Sequence, residues 1–504
     1  MRLPSRLRRL ARQGLGDERR PDGRRPALRV RPPELRRARE DGLVMGPRVL
    51  VLGGGLAGLS TAHALLAQRP DADVLVLEAR PGVGGNVRTL HREGCTVEMG
   101  PDAFMTMPGH AEALCEALGL GDTLLSPDAA SSRVMVAHRG ELLPLPEGMA
   151  MGVPRNMMQL AGTRLLSPLG KARAAMDLVL PARHEPDESV GHLVGRRFGR
   201  EVKERMVEPI VSGIYGADVD ELDAAVVMPM FANVRGSLIR ALTRAPRPAG
   251  GPGMRAPSNG LDSVVNALAA SVGADRILSG VIARSLTRRG EGWSVSLDDG
   301  ARLHADEVVL AVPPGAAAEL LAAEVPELSD LLRGFRLRSA LTAVLAFERS
   351  EFTSPLASGA LIPRNAPAPL DVLGALTFVD RKWPSRVAGH LSVVRATFRP
   401  SAAAEFIPRS DDAIIALALE ALRMMLPLPE PRWHAVERFE TGTPSPVVGH
   451  MRRAAEARER ALSLGGISLV GAAVDGPGIA GCVRGANLAA GQIAGRFSSA
   501  SRVA

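Results

Sequence analysis

The sequence of 504 residues predicts an α/β fold that combines a buried parallel sheet with a second, mixed sheet and a helical segment. Three observations lead to this prediction. A strand, a glycine turn, a helix and a second strand follow one another between Arg48 and Glu78. Further short buried strands occur at 308–312 and 467–470, each before a turn rich in glycine or proline. Apolar content is 46% and charged content 23%, which is typical of a globular protein.

The net charge of +8 comes from the first 44 residues. Residues 1–44 contain 14 Arg and six acidic residues, whereas the rest of the chain contains 48 basic and 48 acidic residues. A neutral body does not favour nucleic-acid binding. The leader has no apolar periodicity and lacks the apolar segment of a secretory signal. We therefore expect residues 1–46 to be a disordered leader, with Met45 as the natural start.

The cysteines and histidines do not form a recognisable site. Cys95, Cys115 and Cys482 are widely separated and no CxxC occurs, which predicts a cytoplasmic, reducing environment without disulfides. None of the ten histidines lies in an HxxxH or HExxH pattern, so no metal site is predicted. No apolar run is long enough to predict a membrane span.

The first motif is "RVLVLGGGLAGLSTAHAL" (48–65), in which a buried strand leads into a glycine turn and a helix predicted over 56–68. Gly53 permits the tight turn, Gly55 lets a pyrophosphate approach the backbone, and Gly58 allows close packing of the helix. A second strand, predicted over 72–77, ends at Glu78, 20 residues after Gly58. An acid at this place binds ribose hydroxyls, which favours NAD or FAD over NADP.

The next motifs select FAD. The stretch "EARPGVGGNVRT" (78–89) resembles the continuation of this motif in FAD enzymes of the glutathione-reductase-like and amine-oxidase-like group. The stretch "ADEVVLAVPP" (305–314) resembles their late strand, and "LVGAAVDGPGIAGCVRGA" (469–486) resembles their C-terminal flavin-binding turn. The resemblance implies a Rossmann-like FAD-binding domain of the p-hydroxybenzoate-hydroxylase/glutathione-reductase-like type, joined to a mixed-sheet substrate domain and a helical subdomain.

Three further stretches are similar to the protoporphyrinogen oxidase and coproporphyrinogen III oxidase family. They are "VEMGPDAFMT" (97–106), "SNGLDSVVNALA" (258–269) and, most specifically, the block at 187–231 around Tyr215. The resemblance covers roughly residues 47–497. It implies FAD-dependent oxidation of protoporphyrinogen IX to protoporphyrin IX in heme biosynthesis, with O2 reoxidising the flavin. The alternative substrate is coproporphyrinogen III.

The resemblance also implies site residues. The expected FAD contacts are Gly53, Gly54, Gly55, Leu56, Ala57, Gly58, Glu78, Ala79, Arg80, Gly85, Asn86, Gly100, Pro101, Asp102, Ala103, Val281, Pro477, Gly478 and Ile479. The expected substrate contacts are Arg133, Gly359, Leu361, Leu376 and Ala396, with Arg133 pairing a propionate through its guanidinium. No catalytic side chain is expected, because flavin N5 accepts the hydride. Further cations that the sequence leaves unplaced are Arg364, Arg395 and Arg399.

The motifs of the FAD-binding domain recur at the start, in the middle and at the end of the chain, which predicts discontinuous domains. Residues 47–103, 255–330 and 440–498 are expected to form the FAD-binding domain, 104–240 the helical subdomain and 331–439 the substrate-binding domain. The stretch 151–180 combines Met and Leu with basic residues, which makes it a candidate for peripheral contact with the inner face of the cell membrane. A monomer or a homodimer is expected.

Several positions depart from the family pattern and keep other functions open. Pro446 replaces an aromatic residue, Gly481 replaces an Asp, and Phe398-Arg399 replaces a glycine pair. A non-catalytic FAD-binding paralogue is therefore one alternative. An amine oxidase would need an aromatic substrate cage, which one Tyr and three Trp supply poorly. A carotenoid-type desaturase would lack the 187–231 block.

Overall fold

The computed structural model describes residues 46–181, 185, 187–231, 234, 236–244 and 253–500. The predicted leader, except Gly46, lies outside these residues, as do residues 245–252. Within the described ranges, no helix has both the length and the apolar character needed to cross a bilayer.

The strands are, in chain order, β1 (Arg48–Leu52), β2 (Asp73–Glu78), β3 (Thr89–Arg92), β4 (Cys95–Glu98), β5 (Phe104–Met105), β6 (Leu124–Leu125), β7 (Val134–His138), β8 (Glu141–Pro144), β9 (Met254–Pro257), β10 (Ile277–Ser279), β11 (Ala283–Arg289), β12 (Gly292–Leu297), β13 (Arg302–Ala305), β14 (Glu307–Leu310), β15 (Leu337–Glu348), β16 (Gly359–Leu361), β17 (Leu373–Phe378), β18 (Leu391–Phe398), β19 (Trp433–Pro444) and β20 (Ile467–Leu469).

The α-helices are α1 (Leu56–Gln68), α2 (His110–Ala117), α3 (Met158–Ala161), α4 (Pro168–Ala175), α5 (Val190–Phe198), α6 (Arg200–Val202), α7 (Glu208–Tyr215), α8 (Ala224–Val227), α9 (Leu238–Arg244), α10 (Asp262–Val272), α11 (Pro314–Leu321), α12 (Pro326–Arg333), α13 (Val379–Lys382), α14 (Pro400–Phe406), α15 (Asp411–Arg423), α16 (His450–Ser463), α17 (Ala472–Asp475) and α18 (Ile479–Ala500).

The nucleotide-binding half is a five-stranded parallel sheet in the order β10-β2-β1-β14-β20. Both faces are covered, as is usual for parallel sheets. Val49 and Val51 point towards α1, α10 and α18, whereas Leu50 and Leu52 point towards α11, α12 and α16. The carboxyl ends of all five strands share one edge, which is where such sheets bind ligands. This arrangement confirms the predicted fold class.

The second half is a seven-stranded mixed sheet in the order β19-β15-β18-β17-β16-β7-β8. Its back face packs on α14 and α15 through a core that includes Leu345 and Phe378. The alternate residues of the same strands, such as Val344 and Val393, point to the opposite, front face, towards the rest of the molecule. Helix α7, from the 187–231 block, lies against this front face, because a Cβ on Gly213 would be 3.4 Å from Leu361 Cδ2.

Several predicted elements differ in extent. The strand predicted over 308–312 ends at Leu310, since two prolines follow at 313 and 314 and cannot donate to the ladder. The strands at 337–348 and 433–444 are each 12 residues long and pair with each other in the mixed sheet. Strand β9 pairs with β5 and with β6.

The segment 104–240, predicted to be helical, contributes β7 and β8 to the mixed sheet. The pairing of β7 with β16 joins distant parts of the sequence, so local patterns do not predict it. The division into domains stays a prediction. Helix α5 begins after Ser189, which caps it because its hydroxyl accepts a hydrogen bond from the His192 amide.

Candidate functional site

The first glycine turn connects β1 to α1 at the carboxyl edge of the parallel sheet. Gly53 has a φ of +108°, and its amide donates to the Leu77 carbonyl at 2.7 Å. A Cβ on Gly58 would lie 1.9 Å from the Gly53 carbonyl oxygen, so the turn and the helix touch through backbone alone. Gly55 precedes α1 and no side chain caps that helix. The first amides of α1 are therefore available to a phosphate.

Glu78 ends β2 beside this turn, as the sequence predicts. One carboxylate oxygen accepts the Gly54 amide at 2.7 Å and the other accepts the Arg80 amide at 2.8 Å. The side chain is buried, and the Glu78 carbonyl accepts the Val281 amide at 3.0 Å. The acid is thus held in place by backbone donors, which suits a residue that must meet ribose hydroxyls.

The second glycine pair lies directly against the first turn. Gly84 donates its amide to the Gly54 carbonyl at 2.8 Å and pairs with Gly55 in a parallel bridge. A Cβ on Gly85 would be 3.2 Å from the Gly55 Cα. Arg80 reaches the Gly85 carbonyl, while Asn86 donates to the Gly442 carbonyl on β19. This cradle of small residues fits a long dinucleotide such as FAD and leaves little room for side chains.

The C-terminal turn brings a second helix to the same edge. Helix α18 starts at Ile479, after Gly476 and Gly478 with φ values of +100° and +91°. It packs along α1 through a core that contains Leu56 and Ile479. Because β14 alone separates β1 from β20, the carboxyl ends of these two strands are roughly 10 Å apart. Both helix N-termini can offer amides to one extended cofactor.

Asp475 organises this turn from inside. Its carboxylate accepts the Gly471 amide at 2.7 Å and pairs with Arg458. Burial raises the pKa of the Asp475 carboxyl. A Cβ on Gly481 would lie 2.3 Å from the Gly476 carbonyl oxygen, so this backbone has no room for the aspartate found in the family pattern.

The predicted flavin-side turn, Gly100 to Ala103, is held by residues of the mixed-sheet half. Asp102 accepts hydrogen bonds from Lys382 Nζ and from Trp383 Nε1, the latter at 3.3 Å. Burial raises the pKa of Asp102, but the positive charges of Lys382 and Arg395 outweigh it and bring the pKa to about 2. Arg395 donates to the Gly100 carbonyl. Asp102 is therefore ionised at neutral pH.

The predicted substrate residues fall on both faces of the mixed sheet. Leu361 pairs with Ala375 and Gly359 with Thr377 on the front face. Leu376 pairs with Ala360 and Ala396 on the back face, and both Leu376 and Ala396 are buried in the core against α14 and α15. Because side chains alternate between faces along a strand, Leu376 and Ala396 point away from the face that carries Leu361. The expected substrate contacts stay a prediction.

The structure locates Arg133 and two of the arginines that the sequence left unplaced, Arg364 and Arg399. Arg133 precedes β7, is largely exposed and lies 3.5 Å from Glu147. All three guanidinium nitrogens of Arg399 have protein partners, because it pairs with Glu208 at 3.3 Å and donates to the carbonyls of Ile362 and Asp371. Arg364 pairs with Asp218. Arg399 thus fills the place of the missing glycine pair as a structural residue.

Sequence reasoning missed Lys382 and Trp383. Their only signal was rarity: Lys382 is one of three lysines and stands beside one of three tryptophans. Their position opposite Asp102 depends on the packing of α13 against the nucleotide-binding half, which local patterns do not contain.

Glu185, Glu188 and His192 form a group whose ligand atoms lie within 4.8 Å of one another. Arg196 already donates to both carboxylate oxygens of Glu188 at 3.0 Å. The group lies in the helical segment, away from the glycine turns in sequence, and we assign no metal to it.

Known proteins match nearly the whole described fold. A family model described as flavin containing amine oxidoreductase matches residues 56–494. The coproporphyrinogen III oxidase of Bacillus subtilis (strain 168) is 31% identical over 454 residues, covering 86% of this chain and 95% of the relative. That of Propionibacterium freudenreichii is 30% identical over 495 residues, covering 88% and 90%. A solved chain described as a protoporphyrinogen oxidase from Exiguobacterium sp. 255-15 has a TM-score of 0.79 at 28% identity, covering 89% and 98%.

Proposed function

The chain belongs to the flavin-containing amine oxidoreductase family, and from this premise we propose that it oxidises a porphyrinogen to the corresponding porphyrin. It is an FAD-dependent oxidoreductase. The observation that carries the proposal is the 31% identity across 95% of a coproporphyrinogen III oxidase, together with the cradle of glycines at the carboxyl edge of the parallel sheet.

When bound, FAD supplies the electron acceptor, a chemistry that no side chain provides. We assign the pyrophosphate to the first amides of α1, directly after the first glycine turn, and the ribose to Glu78. The N-terminus of α18, from Pro477 to Ile479, is assigned to the flavin pyrimidine edge. Leu361 on the front face and Arg133 at the rim are assigned to the macrocycle and one of its carboxylates. Their task is to hold a flexible substrate against the flavin.

We place coproporphyrinogen III first among the substrates. The sequence alone favoured protoporphyrinogen IX, because only Arg133 could be placed as a carboxylate partner. The relatives at 31% and 30% identity carry the coproporphyrinogen name, whereas the solved chain named for protoporphyrinogen is 28% identical. Protoporphyrinogen IX remains the second candidate on the strength of that chain.

Purified FAD-loaded protein should convert coproporphyrinogen III under air into a fluorescent porphyrin. The reaction removes six hydrogen atoms from the substrate, and three O2 molecules would accept them as three H2O2. Porphyrin fluorescence and peroxide should therefore rise in a ratio of one to three. Coproporphyrinogen III should react faster than protoporphyrinogen IX when both are supplied at equal concentration.

Two controls separate the alternatives. Exclusion of air should stop turnover if O2 is the acceptor. A yellow protein that produces no fluorescence from either porphyrinogen would contradict the proposal and support the non-catalytic paralogue. Turnover of an amine or a carotenoid precursor instead would support the corresponding alternative.

We further propose a cytoplasmic location with peripheral contact to the inner face of the cell membrane. Three large apolar side chains in or near the 151–180 stretch protrude: Met158 is 86% exposed, Leu169 83% and Val179 77%. Arg164 and Lys171 lie in the same stretch, and such a mixture suits an anionic lipid surface. All three cysteines are free and buried, as suits a reducing compartment. The oligomeric state, a monomer or a homodimer, stays a prediction.

The double variant Met158→Glu/Val179→Glu should lose binding to vesicles that contain anionic lipid. Placing carboxylates at the membrane surface removes the apolar contact and adds repulsion. Co-sedimentation with vesicles measures the bound fraction. Leu462→Glu, at a residue of α16 that is 47% exposed, is the matched control and should bind as the unaltered protein does. Equal binding of all three proteins would contradict the membrane proposal.

A further inference from the structure

Arg395 lies on the front face of the mixed sheet, the face that carries Leu361. The space in front of this face, which we assign to the substrate, is called the slot. Arg395 pairs with Thr377, which pairs with Gly359 on the next strand. The three residues form one row across the sheet, so Arg395 is about 10 Å from Gly359, two strand spacings away. Thr377 and Arg395 are half-buried, whereas their neighbours on the back face are buried. This row is therefore accessible from the slot.

The guanidinium of Arg395 is not satisfied by the protein. Nη2 donates to the Gly100 carbonyl, but Nε is buried without a hydrogen-bond partner. Among the described residues, no carboxylate forms an ion pair with it. By contrast, Arg386 pairs with Glu98 at 3.2 Å and Arg399 with Glu208 at 3.3 Å. A half-buried charge without a counterion is costly, so this position calls for an anionic partner.

Asp102 does not fill that role. It is within electrostatic reach of Arg395, but its carboxylate is hydrogen-bonded by Lys382 and Trp383. Two cations thus surround one carboxylate, and a surplus positive charge remains next to the flavin-side turn. The surplus attracts an anionic oxygen from a bound molecule.

We propose that Arg395 holds a carboxylate of the substrate inside the slot and favours a substrate with a carboxylate on every pyrrole ring. This inference rests on the proposed function. In coproporphyrinogen III each ring carries a propionate, so whichever ring enters the slot brings an anion to Arg395. Two rings of protoporphyrinogen IX carry vinyl groups instead, which would leave the guanidinium unpaired. Arg133 at the rim would bind a second propionate.

The test compares holoenzymes that carry Arg395→Gln, Arg395→Lys or Arg438→Gln. Arg438 is the matched control, because it pairs with Leu341 on the back face and is bound by Asp411. Each protein is titrated with coproporphyrin III and with its tetramethyl ester, and its FAD content is measured. Arg395→Gln should weaken coproporphyrin III binding about ten- to a hundredfold, the range for a hydrogen bond to a charged group. The ester should bind all variants alike, and Arg395→Lys should recover part of the affinity.

Kinetics give a second readout. Arg395→Gln should raise KM for coproporphyrinogen III more than it lowers kcat, and it should change KM for protoporphyrinogen IX little. Three results would overturn the inference: unchanged coproporphyrin III affinity, an equal loss for the ester, or loss of FAD from Arg395→Gln, which would assign the guanidinium to the flavin. If the unaltered protein bound neither porphyrin nor turned over either porphyrinogen, the proposed function itself would fail.

Discussion

Gly58→Ala should yield a protein that folds but is purified almost without FAD. The new Cβ would lie 1.9 Å from the Gly53 carbonyl oxygen and 3.1 Å from Ala311 Cβ. The Gly53 oxygen belongs to the backbone, and the new Cβ is fixed to the backbone of α1, so no side chain can rotate to relieve the clash. Either α1 must move away from β1 or the turn must open. Both changes displace the amides that face the pyrophosphate. We expect FAD affinity to fall more than about a hundredfold, equivalent to roughly 2.7 kcal/mol.

The FAD content of the purified protein, read from its visible absorbance, measures this effect. Gly82→Ala is the matched control, because no atom lies within 4 Å of the added Cβ in the neighbouring loop. It should retain the FAD content of the unaltered protein. Far-ultraviolet circular dichroism checks that both variants fold. A Gly58→Ala protein with full FAD would show that the first glycine turn is not the pyrophosphate site.

The nucleotide-binding half could be predicted from sequence because its signals are local. The helix predicted over 56–68 has those bounds, and Glu78 lies beside the glycine turn as expected. Strand, turn and helix are neighbours along the chain, and the spacing of three glycines specifies their geometry. The leader that composition and charge predict lies outside the described residues, so it stays a prediction.

The substrate slot could not be predicted to the same depth. Whether Leu376 faces the slot or the core depends on the register of β17 with β16 and β18, and a shift by one residue reverses every face. Arg395, Asp102 and Lys382 come from distant parts of the sequence and meet only through tertiary packing. Resemblance to a family identified the strand, but the alternation of side chains along it decided which residues point inward.

Arg386→Met should destabilise the protein, and the loss should grow with pH. Glu98 and Arg386 are 3.2 Å apart and almost fully buried. Glu98 also accepts hydrogen bonds from the Leu261 amide and the Thr89 hydroxyl, both at 2.8 Å. Burial raises the pKa of Glu98 to about 7 although Arg386 lowers it. A variant without Arg386 should therefore have a Glu98 pKa above 7.

The direction of this pH dependence follows from the number of protons that the folded and unfolded states bind. A carboxyl with a pKa raised by folding binds more protons in the folded state, so its contribution is greatest below about pH 4.5 and declines as the pH rises to about 7. Without Arg386 the pKa of Glu98 in the folded protein is higher, so the unfolding free energy continues to decline at higher pH. The variant should be only moderately destabilised at pH 6. At pH 9 the loss in unfolding free energy should approach about 3–5 kcal/mol, the cost of leaving one partner of a buried pair charged and alone.

Urea unfolding of the FAD-loaded proteins at pH 6 and pH 9 measures the difference. The matched control is Glu98→Gln/Arg386→Met, in which the amide oxygen can accept from the Leu261 amide, the amide nitrogen can donate to the Thr89 hydroxyl oxygen, and no charge is present. Because no ionised group then remains buried at these two positions, the double variant should be more stable than Arg386→Met at pH 9 and should lose the added pH dependence. An equal pH dependence in both variants would mean that another group titrates. Since Glu98 lies two residues before Gly100, the same substitution should also loosen the flavin-side turn and lower FAD affinity in parallel with stability.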